Sequence, residues 1–245
     1  MREHCKHCRT LLERPTRRGV MTGAAALLAA SAFPFTPAGS EPAAETPNPN
    51  AIPPAEALDL LMQGNARYVA NELAERDFSV GRAARAEAQY PIAAILGCAD
   101  SRVSPELLFD KGPGELFVVR LAGNFLDDDG FASLEYAVKF LGAPLIMVLG
   151  HTNCGAIAAA IKVVKERIEL PGHLPELIKS IEPAVIAAHG RHPSDLLAAT
   201  TEENVRLNVK RLIDDAPIMS DALAAKKIAV AGGVYDLATG KVNLL

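Results

Sequence analysis

Two stretches constrain this chain more than any others: "PIAAILGC" at residues 91–98 and "PLIMVLGH" at 144–151. Each starts at a proline, runs through uninterrupted apolar residues, and closes on Leu-Gly followed by a side chain that can bind a metal. A strand with one wet face alternates apolar and polar residues, whereas a strand covered on both faces reads as a continuous apolar run. A third run, "GELFVVRLA" at 114–122, is rich in Val and Phe and reads as another strand. Helical periodicity occupies 55–68, 80–88, 130–142, 154–167, 174–188 and 195–214. The chain ends as a strand, a turn at Thr239-Gly240 and a short return strand. Strands alternating with helices over short connections predict an α/β fold, a mainly parallel central β-sheet flanked by helices. Open sheets of this kind gather their sites at the C-terminal ends of the strands, so Cys98 and His151 are expected at one edge.

The chemistry at that edge is specific. In "LGCADSR", residues 96–102, Cys98, Asp100 and Arg102 stand at every second position. A fully extended chain would put them on one face; the better reading ends the strand at Cys98 and lets Asp100 and Arg102 act from the turn that follows. His151 and Cys154 are three apart across a strand-to-helix turn, which lets both converge on one ion. Two thiolates and an imidazole suit zinc, and three protein ligands leave a fourth position open, as in catalytic sites. Cys154 begins a helix, where the dipole favours its thiolate. Asp100 has two possible roles: fourth ligand closing the site, or acceptor of a hydrogen bond from a water there. Arg102 can pair bidentately with that carboxylate and draw it off the metal.

The first 54 residues are of another kind. Arg2, Lys6, Arg9, Arg14, Arg17 and Arg18 precede the mildly apolar "GVMTGAAALLAASAF", and Ala30-Ser31-Ala32 is a small-residue cleavage motif. Residues 1–32 therefore read as a signal peptide, and Arg17-Arg18 after Thr16 points to twin-arginine export to a bacterial periplasm. Cys5 and Cys8 fall in this leader without a second pair to complete a metal site. Residues 33–54 hold seven prolines and no apolar period, and are expected to form a disordered linker. The catalytic domain is then 55–245. The net charge is −4 for the whole chain and near −8 without residues 1–32. That balance excludes the basic footprint of a nucleic-acid binder, and no span long enough to cross a bilayer remains after the leader.

"CADSR" at 98–102 with "HTNC" at 151–154, in the context of "GPGELFVVRLAGN" and "SLEYAVKFLG", resembles the β-class carbonic anhydrases. The resemblance covers about residues 55–240. It implies a dimeric fold with an N-terminal helical arm and one Zn2+ per subunit on Cys98, His151 and Cys154, joined by Asp100 only in a closed state. The implied activity is reversible hydration of CO2 to bicarbonate and a proton, with hydroxide generated at the metal as nucleophile. Asp100 and Arg102 become the catalytic pair. Gln89 matches a glutamine that hydrogen-bonds substrate from the partner subunit, Phe117 and Tyr136 line the CO2 pocket, and Gly155 lends backbone beside the metal. Homodimers or dimer-based tetramers follow. Some proteins of this fold hydrolyse CS2 or COS on the same site, and a zinc locked by Asp100 would make an idle binding or sensing protein. Two positions depart from the pattern. Ala122 stands where a branched side chain often narrows the pocket. Ile95 replaces the Trp that, with matches to Arg120 and Tyr235, builds an inhibitory bicarbonate site, so that site is expected to be absent or weak.

Overall fold

The computed structural model describes residues 48–214 and 218–245. The leader expected over 1–32 and the linker up to residue 47 lie outside the described residues. The linker's expected end at residue 54 needs correcting, because the chain is already packed by Asn50. That side chain is only 1% exposed, and its Nδ2 donates to the carbonyls of Pro91 (2.9 Å) and Leu141 (2.8 Å). Ile52 lies against the core. A run of prolines hides this, since the anchoring depends on one amide and carries no period.

Strands β1 (Ala93–Cys98), β2 (Leu116–Leu121), β3 (Leu145–His151) and β4 (Ala229–Tyr235) are parallel in the order β2-β1-β3-β4. Strand β5 (Val242–Leu244) joins β4 antiparallel. All residues of β1 and β3 are buried, and the reason is visible in β1. Ala93 and Ile95 face one core, with Ala57 and Leu61 of helix α1 (Pro54–Ala70) and Leu108 of α3 (Pro105–Leu108). Ala94 and Leu96 face the other, with Leu134 of α4 (Asp128–Lys139), Val205 and Leu212 of α7 (Leu196–Asp214) and Met219 of α8 (Ile218–Ala224). Each fully buried Ile or Leu contributes about 1.5–3 kcal/mol, so a polar residue on either face would be costly. The helical arm expected at the N-terminus is α1, and its inner face is laid on the sheet of its own chain.

The remaining helices are α2 (Arg82–Glu87), α5 (Gly155–Glu166) and α6 (Leu174–His189). Helix α4 starts two residues before its periodicity suggests, because the Asp127 side chain accepts from the Gly130 amide (2.7 Å) and caps the first turn. Helices α3 and α8, four and seven residues long, were not expected from the sequence; they are too short to show a period. Among the described residues no helix is long and apolar enough to cross a membrane.

The strand order carries the function. From β1 the chain moves outward to β2, then crosses back past β1 to β3. The C-terminal ends of β1 and β3 therefore flank a topological switch point, the place where open α/β sheets form a crevice. Cys98 ends one strand and His151 ends the other.

Candidate metal centre

The ligand atoms of Cys98, His151 and Cys154 lie within 4.8 Å of one another, and all three residues are buried. A tetrahedral zinc with bonds of about 2.3 Å to sulfur sets its ligand atoms about 3.8 Å apart, so a small inward adjustment closes this group on an ion. His151 supplies a second sign. Its Nδ1 donates to the Thr152 carbonyl (2.9 Å), which fixes the tautomer and leaves the lone pair on Nε2. That Nε2 is buried with no hydrogen-bond partner, a costly state that a metal relieves. The donor set thus fits Zn2+.

The two thiols differ. Cys98 accepts hydrogen bonds from the amides of Gly123 (3.2 Å) and Asp100 (3.4 Å). Contact with Cys154 pulls the Cys98 thiol well below its ordinary value; burial opposes this, and His151 and the two amides reinforce it. Cys154 is pushed up, first by the same contact and then by burial, although the amides of Ile157 and Ala156 at the start of α5 act the other way. The amides at the start of α5 thus act in the direction expected of the helix dipole, while the contact with Cys98 and burial oppose them. The backbone amides of Gly123 and Asp100 favour the Cys98 thiolate. Around them Phe125, Ile157, Ile178 and Ile181 form an apolar wall that strengthens every charge interaction inside.

Asp100 and Arg102 sit on the turn after β1, as expected. Arg102 grips the carboxylate with two parallel bonds, Nε to Oδ1 (2.9 Å) and Nη2 to Oδ2 (2.7 Å), and its backbone amide also donates to Oδ1 (2.9 Å). These bonds, partly opposed by burial, hold the carboxyl far below the usual carboxylate range. Oδ2 is still 3.8 Å from His151 Nε2. Asp100 is thus a charged acceptor at the rim of the ligand group, turned to the guanidinium. Gly155 opens α5 with empty space where a Cβ would stand.

Gln89, Phe117 and Tyr136 are placed elsewhere. Phe117 pairs in register with Ala94, near the start of β1 and four residues from Cys98. It stacks on Tyr136 at 6.2 Å, and Tyr136 on Phe140 at 5.3 Å. Exposed Gln89 lines a surface hollow with Tyr90, Tyr136 and Phe140. Within one chain these residues meet each other and not the metal ligands. Of the departures, Ala122 is half-buried just past β2 and Ile95 is fully buried in the sheet. Arg120 bonds to main-chain carbonyls, and the Tyr235 hydroxyl pairs with that of Tyr68 (3.2 Å).

Three residues support the centre from outside the ligand motifs. Gly123 has φ +86° and would drive a Cβ to 2.6 Å from Ile181, so only glycine delivers that amide to Cys98. Thr152 is held on both sides, its amide donating to the Tyr235 carbonyl (2.9 Å) and its hydroxyl accepting from the Leu237 amide (3.1 Å), which aims its own carbonyl at His151. Arg120 binds the turn after β1. A glycine inside "LAGN" was a detectable signal; the other two depend on contacts between residues 20 or more positions apart in sequence.

Comparison with known proteins places this architecture. The carbonic anhydrase family model matches residues 93–242. Carbonic anhydrase 2 of Mycobacterium tuberculosis is 36% identical over 199 residues, spanning 81% of this chain and 94% of the relative. The carbonic anhydrase of Mycolicibacterium smegmatis is 37% identical over 201 residues, spanning 81% and 95%. Among solved structures, the Coccomyxa β-carbonic anhydrase in complex with acetazolamide is 33% identical, with a TM-score of 0.61 over 77% of this chain and 86% of that one. A tetrameric β-carbonic anhydrase of Sordaria macrospora is 25% identical, with a TM-score of 0.62 over 67% and 86%. With its ligand triad at the switch point, and spanning 94–95% of the two mycobacterial relatives, this chain belongs to the β class of the carbonic anhydrase family.

Proposed function

We propose that this protein catalyses the reversible hydration of CO2 to bicarbonate and a proton. The observation that carries this reading is the buried Cys98-His151-Cys154 group with Asp100 held at its rim by Arg102. Zinc bound there acts as a Lewis acid that lowers the pKa of water to about 7. The chain's own residues do the rest. Asp100, kept ionised by two guanidinium bonds, can only accept hydrogen bonds, so it orients the O–H of an attacking water and turns a lone pair toward CO2. Arg102 keeps that carboxylate from becoming a fourth ligand, which is why the idle, locked alternative is disfavoured. Gly155 leaves room at the mouth for a small substrate.

The pocket is completed by a second copy of the chain. This reading is supported by the position of Gln89, Phe117 and Tyr136 away from the ligands of their own chain, and by the exposure of Tyr136 (46%) and Phe140 (73%). Exposed aromatics clustered in this way favour an interface. We infer export through the twin-arginine route from residues 1–32. That route carries folded proteins, so zinc would already protect both thiols before they reach an oxidising compartment.

Zinc analysis with stopped-flow CO2 hydration tests the reading: one zinc per chain and CO2-dependent proton release support it, and zinc-bound protein active on COS but silent with CO2 would overturn it.

A further inference from the structure

We propose that Arg120 is a positioning residue that fixes the turn carrying both Cys98 and Asp100. The proposal rests on the zinc reading above. Arg120 is the exposed residue of β2 one step before its end, and it pairs in register with Gly97. Its Nε donates to the Cys98 carbonyl (2.9 Å) and its Nη2 to the Asp100 carbonyl (2.7 Å). One rigid fork thus spans the two residues whose side chains supply a ligand and the rim carboxylate.

The backbone needs such a clamp at this point. The last ladder bond between the two strands is Ala99 N to Leu121 O (3.2 Å), and beyond it the turn has left the sheet. The Val103 amide also reaches the Asp100 carbonyl (3.0 Å), so Arg120 adds a second donor there and binds the Cys98 carbonyl as well. Arg102 secures the Asp100 side chain from one side, while Arg120 secures its main chain from the other. A lysine cannot replace this, because one ammonium at the end of a flexible stem does not reproduce a planar fork reaching two acceptors. Arg120 touches neither the ligand sulfur nor the carboxylate, so its effect is on where they stand.

The test uses the full chain loaded with zinc and follows zinc loss to an excess of chelator in wild type, Arg120→Ala and Arg120→Lys, with melting curves to report folding. Partners of this kind carry about 10–100-fold in metal affinity. Both variants are expected to lose zinc at least about 10-fold faster while remaining folded, and millimolar guanidinium is expected to slow the loss in Arg120→Ala but not in Arg120→Lys. An unchanged rate in Arg120→Ala, or wild-type behaviour in Arg120→Lys, overturns the proposal and leaves the zinc site standing. Wild-type protein that holds no zinc overturns the site reading, and this proposal with it.

Discussion

Arg102 holds Asp100 through a fork of two bonds, 2.9 Å and 2.7 Å long, while the same carboxylate lies 3.8 Å from the free nitrogen of His151. One side chain therefore stands between a guanidinium and a metal centre, and the guanidinium has it. Arg102→Lys replaces the fork by a single contact and Arg102→Ala removes it. Either change should lower kcat/KM for CO2 by about 10–100-fold, with zinc content unchanged. Stopped-flow rates and metal analysis on the same preparations check this.

The Gly123 amide reaches Cys98 only because residue 123 adopts φ +86° against Ile181. Gly123→Ala adds strain of about 1–3 kcal/mol and a collision with Ile181 Cδ1. The variant should unfold at lower urea concentration and release zinc faster; unchanged behaviour in both measurements would contradict the assigned role.

A different site, Asp110, also contributes to acid stability. Asp110 is 1% exposed and is bonded by Arg67, Arg76 and the Ala74 amide, which ties the loop after α1 to the end of α3. Burial pushes its carboxyl up, but the Arg76 and Arg67 bonds outweigh burial and hold it at about 2, against 3.8 for a free aspartate. A depressed folded value means stability that is complete above the unfolded value and lost as pH falls toward the folded one. Asp110 should contribute up to about 2 kcal/mol above pH 4, disappearing between about pH 4 and pH 2. Urea midpoints across that range should fall in wild type and fall less in Asp110→Asn.

The aromatic cluster predicts assembly. On the proposed two-copy arrangement, Phe140, 73% exposed and stacked on Tyr136, lies at the interface, so Phe140→Asp should leave the fold and zinc content intact while yielding monomer. Because Gln89 and Phe117 would then serve no neighbouring site, CO2 hydration should fall with the loss of dimer. Light scattering beside the activity assay separates this from unfolding.

Much of this architecture was legible in the sequence, for physical reasons that differ by residue. The two proline-led runs revealed β1 and β3 because both faces of each strand are covered, and the shared Leu-Gly ending put Cys98 and His151 at one edge. The turn after Cys98 was legible because Asp100 and Arg102 pair within two residues of each other. Arg120, Thr152 and Asn50 were not, since each acts on main-chain groups 20 or more residues away or across a strand boundary, and main-chain acceptors leave no trace in composition. The amide bonds to Cys98 were hidden for a related reason. The helix dipole is visible in a sequence, whereas the Gly123 and Asp100 amides around Cys98 are a product of the folded turn.

The most direct test of the account is CO2 hydration measured by stopped flow on zinc-quantified wild type and Cys98→Ser. The account predicts one zinc per chain and rapid hydration in wild type, with neither in the variant; zinc-free Cys98→Ser that hydrates CO2 at the wild-type rate would contradict it.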